Sequence, residues 1–262
     1  MLAQRVASAV VGLPIIVGLV VIGGGVYTAT VALILLLATL EFEAPLLGWR
    51  HPLALLAASL SAALAAGAFV GPDWLLWFGT GLVILPLVFV ALAGDPRTGL
   101  QHWLWTAGGV LYVGWLGSHL VLLREAPDGR DWVFLVLFTT FATDTSSYFV
   151  GHVLGRKRLA PRVSPGKTLE GAIGGILFGL AAALLLNYFL GLRKEALLIL
   201  PVAVLLPLAA EVGDLAESVL KRGMQIKDAS ALIPGHGGLM DRLDSILFTS
   251  VVLYYYLLWI LP

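Results

Sequence analysis

Apolar residues fill this 262-residue chain in runs of about 20, separated by short polar or Gly/Pro-containing stretches. A helical run of that length spans a bilayer core of about 30 Å. The pattern predicts nine transmembrane helices, over roughly 6–22, 26–47, 53–70, 74–93, 103–122, 132–151, 169–191, 195–217 and 240–261. The first follows a single basic residue, Arg5, without a small-residue cleavage site, and is read as an uncleaved helix. The expected fold is therefore an all-α integral membrane protein in one polytopic domain, 1–262. Within it, 1–130 supplies helices with few intramembrane charges, and 131–262 carries the long polar loops and the candidate chemistry.

Composition agrees with that pattern. The chain is 59% hydrophobic and only 12% charged, which excludes an ordinary soluble domain. Absence of cysteine rules out disulfides and thiolate metal sites. Seven tryptophans (Trp49, Trp74, Trp77, Trp103, Trp105, Trp132 and Trp259) fall near proposed helix ends, as an interfacial belt would place them, and Trp115 does not.

A formal net charge of zero hides an asymmetry. With nine spans, one side of the membrane receives Arg5, Arg50, Arg97, Arg156, Lys157, Arg158, Arg162, Lys167, Lys221, Arg222, Lys227 and Arg242. The other receives only Arg124, Arg130, Arg193 and Lys194, a bias of twelve to four. The positive-inside rule then places the N-terminus and the basic loops in the cytoplasm and the C-terminus on the opposite side.

Chemistry concentrates at that basic side. The loop 151–168 is cationic and punctuated by Gly155, Pro161, Pro165 and Gly166, and Ser164–Thr168 reads as a compact anion-binding turn. Asp144 and Tyr148 precede it and Glu170 follows it. Gly171, Gly174, Gly175 and Gly179 have the small-residue spacing of close helix packing, and Asn187 suits an interhelical hydrogen bond. Glu211, Asp214 and Glu217 recur every three residues, within one broad helix face. Carboxylates at a helix C-terminus oppose its dipole, so a metal or Lys221 or Arg222 is expected to compensate them; Glu217 and Lys221 also have ion-pair spacing. Asp214 lies deepest, and an intramembrane carboxylate is a functional candidate. Asp241 and Asp244 open the last span behind His236-Gly237-Gly238, whose glycines permit a tight turn and close approach of a ligand. Asp214 with Asp241 makes an oxygen-ligand site for Mg²⁺ plausible; His236 suits phosphate contact or loop structure better than metal.

The run Ser218, Lys221-Arg222, Lys227-Asp228, Ser230, Pro234, His236-Gly237-Gly238, Asp241-Arg242, Asp244 resembles the C-terminal signature of CDP-diacylglycerol synthases, the phosphatidate cytidylyltransferase family. Asp144–Tyr148, Gly155-Arg156 and Ser164–Gly171 resemble the same family, with Ser147 where alanine is expected. The resemblance implies transfer of CMP from CTP to phosphatidic acid, giving CDP-diacylglycerol and pyrophosphate in phospholipid biosynthesis. It implies an enzyme of the cell (inner or plasma) membrane, working in the lipid bilayer with its site facing the cytoplasm. A homodimer is expected, and no nucleic-acid partner.

Asp144, Lys167, Lys221, Lys227, Asp228 and Arg242 are the expected catalytic residues. Ser164, Lys167, Ser218, Lys221, Arg222, Lys227, His236, Gly237, Gly238 and Arg242 are expected to bind substrate. Asp214, Asp241, Asp244 and Asp144 are the expected Mg²⁺ ligands, and participation of a monovalent cation stays open. A CTP-using enzyme acting on another lipid phosphate shares this chemistry. A CDP-alcohol phosphotransferase would need an Asp-Gly-x-x-Ala-Arg opening, which is absent, and an ion-coupled transporter would favour charges near the membrane midplane.

Overall fold

Helices occupy all nine stretches marked by the hydrophobic pattern in the structure, a computed structural model that describes residues 2–227, 229–230 and 237–260. They are α1 (Leu2–Ile22), α2 (Gly24–Glu43), α3 (Pro52–Val70), α4 (Pro72–Ala93), α5 (Gly99–Gly109), α6 (Leu116–Glu125), α7 (Gly129–Leu154), α8 (Leu169–Phe189), α9 (Ala196–Gly223) and α10 (Met240–Ile260). A π-helical segment, Val110–Trp115, joins α5 to α6 in a single span. Among the described residues, seven helices are long and apolar enough to cross a membrane, against nine expected. In α1 and α4 the apolar stretches are the shorter Val10–Ile22 and Trp77–Ala93.

Contacts group the chain into two compact units. The first comprises Met1–Glu125 with Asp228–Arg242. Its centre is a pair of facing stripes at helical spacing: Val31, Leu35, Ala38 and Phe42 on α2, and Leu53, Ala57, Leu60 and Leu64 on α3. Thr39 donates a 2.8 Å hydrogen bond to Ser61 across that seam. The end of α1 is closed by Arg124, whose guanidinium donates to the Val20 carbonyl at 2.8 Å, as a cation at a helix C-terminus should. Gly23 adopts φ +66° there, and a β-carbon would collide with that guanidinium.

The second unit comprises Ala126–Lys227 with Leu243–Pro262. Its framework is the tight crossing of α7 and α8. A β-carbon at Gly171 would sit 2.7 Å from the Ser147 carbonyl oxygen and 3.1 Å from the Gly151 α-carbon, so the two backbones touch directly. Gly174 faces Val150, and Gly179 faces Thr143 and Pro207 of α9. The expected small-residue packing is thus observed, and it seats α8 against both α7 and α9. Thr140 donates to Thr249, and Tyr256 to the Leu198 carbonyl at 2.8 Å, which ties α10 to α7 and α9.

Two local expectations are corrected. Ser164–Thr168 is not a turn but a strand, β2, paired antiparallel with β1 (Arg158–Ala160) through Arg158↔Thr168 and Ala160↔Ser164. The turn falls instead between the strands, where Pro161 lies. Asn187 makes no interhelical bond among the described residues. Its side chain accepts from Lys194 N at 3.0 Å and donates to Lys194 O at 3.1 Å, because the chain folds back after α8 and brings loose backbone groups within reach.

Gly171→Ala should destabilise the protein by about 1–3 kcal/mol, because the added methyl meets backbone on both sides. Gly108→Ala, where a β-carbon meets nothing within 4 Å, should be neutral or stabilising. Thermal midpoints of the two variants in one detergent check the contrast.

Candidate active site

In the second unit α7, the β1–β2 hairpin, the start of α8 and α9 enclose a cavity of about 590 Å³. Asp144, Ser147, Tyr148 and His152 reach it from α7, Arg158, Ser164 and Lys167 from the hairpin, and Glu211 and Asp214 from α9. The hairpin is held in place by the first turn of α8. Thr168 caps that helix by accepting from Gly171 N at 3.1 Å. Glu170 accepts from the Arg156 and Lys157 backbone amides at 3.0 and 3.2 Å. Lys167 is thereby aimed at α9. Its Nζ lies 2.8 Å from Asp214 Oδ2 and 3.2 Å from Glu211 Oε2, and the Ser147 hydroxyl donates to the other oxygen of Glu211. Burial disfavours the Lys167 ammonium, yet the Asp214 and Glu211 carboxylates outweigh that penalty and hold its pKa above the ordinary lysine value.

A second set of acids adjoins Asp214. One carboxylate oxygen each from Asp214, Glu217 and Asp244 lies within 4.8 Å of the others. Gly213 makes this possible: a β-carbon there would sit 2.6 Å from the Asp244 carbonyl oxygen and 3.1 Å from the Ser245 α-carbon, so α9 and α10 meet backbone to backbone. Glu217 also pairs with Lys221 at 2.7 Å, so the two readings of its spacing, ion pair and acidic cluster, are both realised. Ser245 donates to Asp144 at 3.4 Å, linking the acid of α7 to the same edge of α10. Among the described residues this set consists of three carboxylates without a histidine, a donor set that suits a hard divalent ion such as Mg²⁺.

The predicted residues are distributed as follows. Asp144, Ser164, Lys167 and Asp214 line the cavity, and Asp244 and Lys221 join it through the acids of α9. Ser218 is half-buried on α9, whereas Lys227 is exposed. Arg222, also exposed, donates to the Val163 and Ile226 carbonyls at 3.2 and 3.4 Å, bracing the hairpin. Asp228 and His236 lie outside the described residues. Gly237, Gly238, Asp241 and Arg242 belong to the first unit. There Gly237 turns with φ +84°, and Asp241 Oδ2 accepts from Gly238 N at 2.8 Å and Ala229 N at 3.3 Å. The close approach expected of a ligand at these glycines is made at Gly238 by the protein itself: a β-carbon would sit 2.7 Å from Glu41 Oε2. The expected site set lacks Ser147, Arg156, Arg158, Glu211, Glu217 and Ser245, though the basic loop that holds the two arginines is singled out. The three-residue spacing of 211, 214 and 217 was the available signal for the two glutamates; nothing local marks the serines.

The profile of the cytidylyltransferase family matches residues 3–260. The chain is 36% identical to the phosphatidate cytidylyltransferase of Bacillus subtilis over 148 residues, covering 56% of this chain and 55% of that one. It is 38% identical to the Brucella suis protein of the same name over 151 residues, covering 57% and 56%. These alignments span about half the length of the relatives. A third, with the phosphatidate cytidylyltransferase of Synechocystis, runs at 31% identity across 99% of this chain and 97% of that one.

A lysine whose folded pKa is raised contributes stability that is fully present below its unfolded pKa of about 10.5 and is lost as pH rises through the folded value. Lys167→Met should therefore lower the thermal midpoint at pH 8, and the gap from the unsubstituted protein should narrow only as pH climbs past 10.5. A gap constant across that range would show that Lys167 contributes packing and not charge.

Proposed function

The chain belongs to the cytidylyltransferase family, and from that premise we propose that it transfers a cytidylyl group from CTP to phosphatidate, giving CDP-diacylglycerol and pyrophosphate. The observation that carries the reading is the clustering of Asp214, Glu217 and Asp244 beside a cavity whose rim holds Lys167, Arg156 and Arg158. Anionic substrates need cations at such a rim, and a helical bundle built of apolar residues suits an acceptor with acyl chains. The Lys/Arg asymmetry supports a cytoplasmic N-terminus and a cytoplasmic site, where CTP is available, with the C-terminus on the other side of the cell membrane.

A phosphate oxygen of phosphatidate attacks the α-phosphorus of CTP. A new P–O bond forms, the bond from that phosphorus to the bridging oxygen of the β-phosphate breaks, and pyrophosphate departs with the electron pair. The attacking oxygen is already anionic near neutral pH, so no side chain must remove a proton. Positioning and charge neutralisation then dominate the catalysis. Lys167 is pre-set for this work, since Asp214 and Glu211 keep it charged and aimed into the cavity. Arg156, Arg158 and Ser164 would take phosphate oxygens from the hairpin side, with Lys221, Lys227 and Arg222 supplying further positive charge from the α9 end.

Asp214, Glu217 and Asp244 would hold Mg²⁺, with Asp144 beside them through Ser245. Bound there, the ion would neutralise charge that develops on the phosphate oxygens. Asp241, whose Oδ2 already takes two backbone N–H groups, is assigned to loop closure.

Asp214→Asn and Asp244→Asn should each lower turnover by more than about 100-fold and raise the Mg²⁺ concentration needed for half-maximal rate. Incorporation of labelled CTP into lipid measures both quantities. Near-normal turnover at limiting Mg²⁺ would remove them as ligands, and a wild-type protein that labels some other lipid phosphate but not phosphatidate would reassign the acceptor.

A further inference from the structure

Glu41 lies in the half of the chain that carries no motif, on the last turn of α2, and is buried. Its two oxygens go to two separate places in the signature segment. Oε1 accepts from the Ser230 hydroxyl at 2.5 Å, and Oε2 accepts from the Met240 backbone amide at 2.9 Å. One carboxylate thus fastens together two residues ten positions apart in sequence, one on each side of the His-Gly-Gly run.

The chemistry of this contact is specific. Met240 is the first residue of α10, and the opening amides of a helix have no partner within it. Leu239, just before it, has no side-chain acceptor to offer. A carboxylate is the best acceptor for such an amide, because the helix dipole adds to the hydrogen bond. Gly238 is shaped to the same purpose, since a β-carbon there would lie 2.7 Å from Glu41 Oε2 and 3.1 Å from both Ser230 N and the Ala229 β-carbon. Asp241 completes the arrangement from the other side by binding the Gly238 and Ala229 amides. Two acids, one from α2 and one from α10, therefore fold the described parts of the segment around themselves.

We propose that Glu41 is a positioning residue for cytidylyl transfer: it fixes the start of α10 and the approach to it from Ser230, and turnover depends on that fixation. The inference rests on the proposed function, because it takes the segment ending in Asp241-Arg242 to be part of the machinery. Without Glu41 the Met240 amide and the Ser230 hydroxyl lose their shared acceptor, and the start of α10 is held less tightly against α2. Glutamine can replace both contacts, its carbonyl accepting from Met240 N and its amide donating to the Ser230 oxygen. Alanine can replace neither.

The test combines turnover of the full chain in detergent with hydrogen exchange at the amides of residues 237–242. Glu41→Ala should lower kcat by about tenfold or more and speed exchange at Met240 by a similar factor, with KM for CTP changing less. Ser230→Ala should show a smaller loss, Glu41→Ala/Ser230→Ala no more than Glu41→Ala alone, and Glu41→Gln should recover activity to within about threefold of wild type. Unchanged kcat and exchange in Glu41→Ala would overturn the proposal. So would a loss matched by an equal fall in the fraction of protein that binds CTP, since the surviving molecules would then be fully active. Failure of the underlying reading looks different: wild-type protein would itself produce no CDP-diacylglycerol.

Discussion

Charge compensation at the edge of an apolar bundle is the constraint on which the second unit depends. Asp144, Glu211, Asp214, Glu217 and Asp244 bring five carboxylates to adjoining parts of α7, α9 and α10. Lys167 pairs with Asp214 and Glu211, Lys221 pairs with Glu217, and Arg156 and Arg158 line the same cavity. In an environment less polar than water, unbalanced like charges cost far more than they do at a wet surface. The lysines and arginines around these acids lower that cost. The proposed Mg²⁺ beside Asp214, Glu217 and Asp244 would lower it further.

The charges could not be assembled without small residues. Gly171 and Gly151 let α7 and α8 touch, Gly175 leaves room for the Ser147 hydroxyl and Glu211, and Gly213 lets α10 lie against α9 at Asp244. Apolar helices gain little from burying their side chains against one another when lipid is the alternative, so backbone contact and interhelical hydrogen bonds carry more of the specificity. At two positions the same contacts serve packing and the site: Gly175 lies against Ser147 and its acceptor Glu211, and Gly213 brings α10 at Asp244 against α9.

Most of the helical layout was legible because a span must be apolar for its full length, and that signal survives without knowledge of the neighbours. The cluster on α9 was legible for a similar reason, since helical geometry alone places 211, 214 and 217 on one side. The hairpin was not, because Pro161, Pro165 and Gly166 read as turn residues, and β1 and β2 are too short for an alternating pattern to show. Asn187 suits an interhelical bond by residue type, yet its side chain satisfies the backbone of Lys194 just after α8. The contacts of Glu41 were not legible, because its partners lie 189 and 199 residues away, beyond any periodicity. Long-range polar contacts leave no local trace in a single sequence.

In the signature segment, several of the described residues contact the protein's own backbone and side chains. Its two glycines answer to different demands: Gly237 to a left-handed backbone, Gly238 to an oxygen of Glu41 where a methyl would stand. Asp241, which by composition looks like a metal ligand, spends one oxygen on two backbone amides. Segments that handle phosphates must present backbone and cations without collapsing onto them, and a loop rich in glycine has little side-chain packing to keep it open. Buried carboxylates that hold the backbone from within supply that rigidity. Part of such a motif is therefore scaffold for the remainder, and the acid that completes the scaffold can lie in a helix where no motif is found.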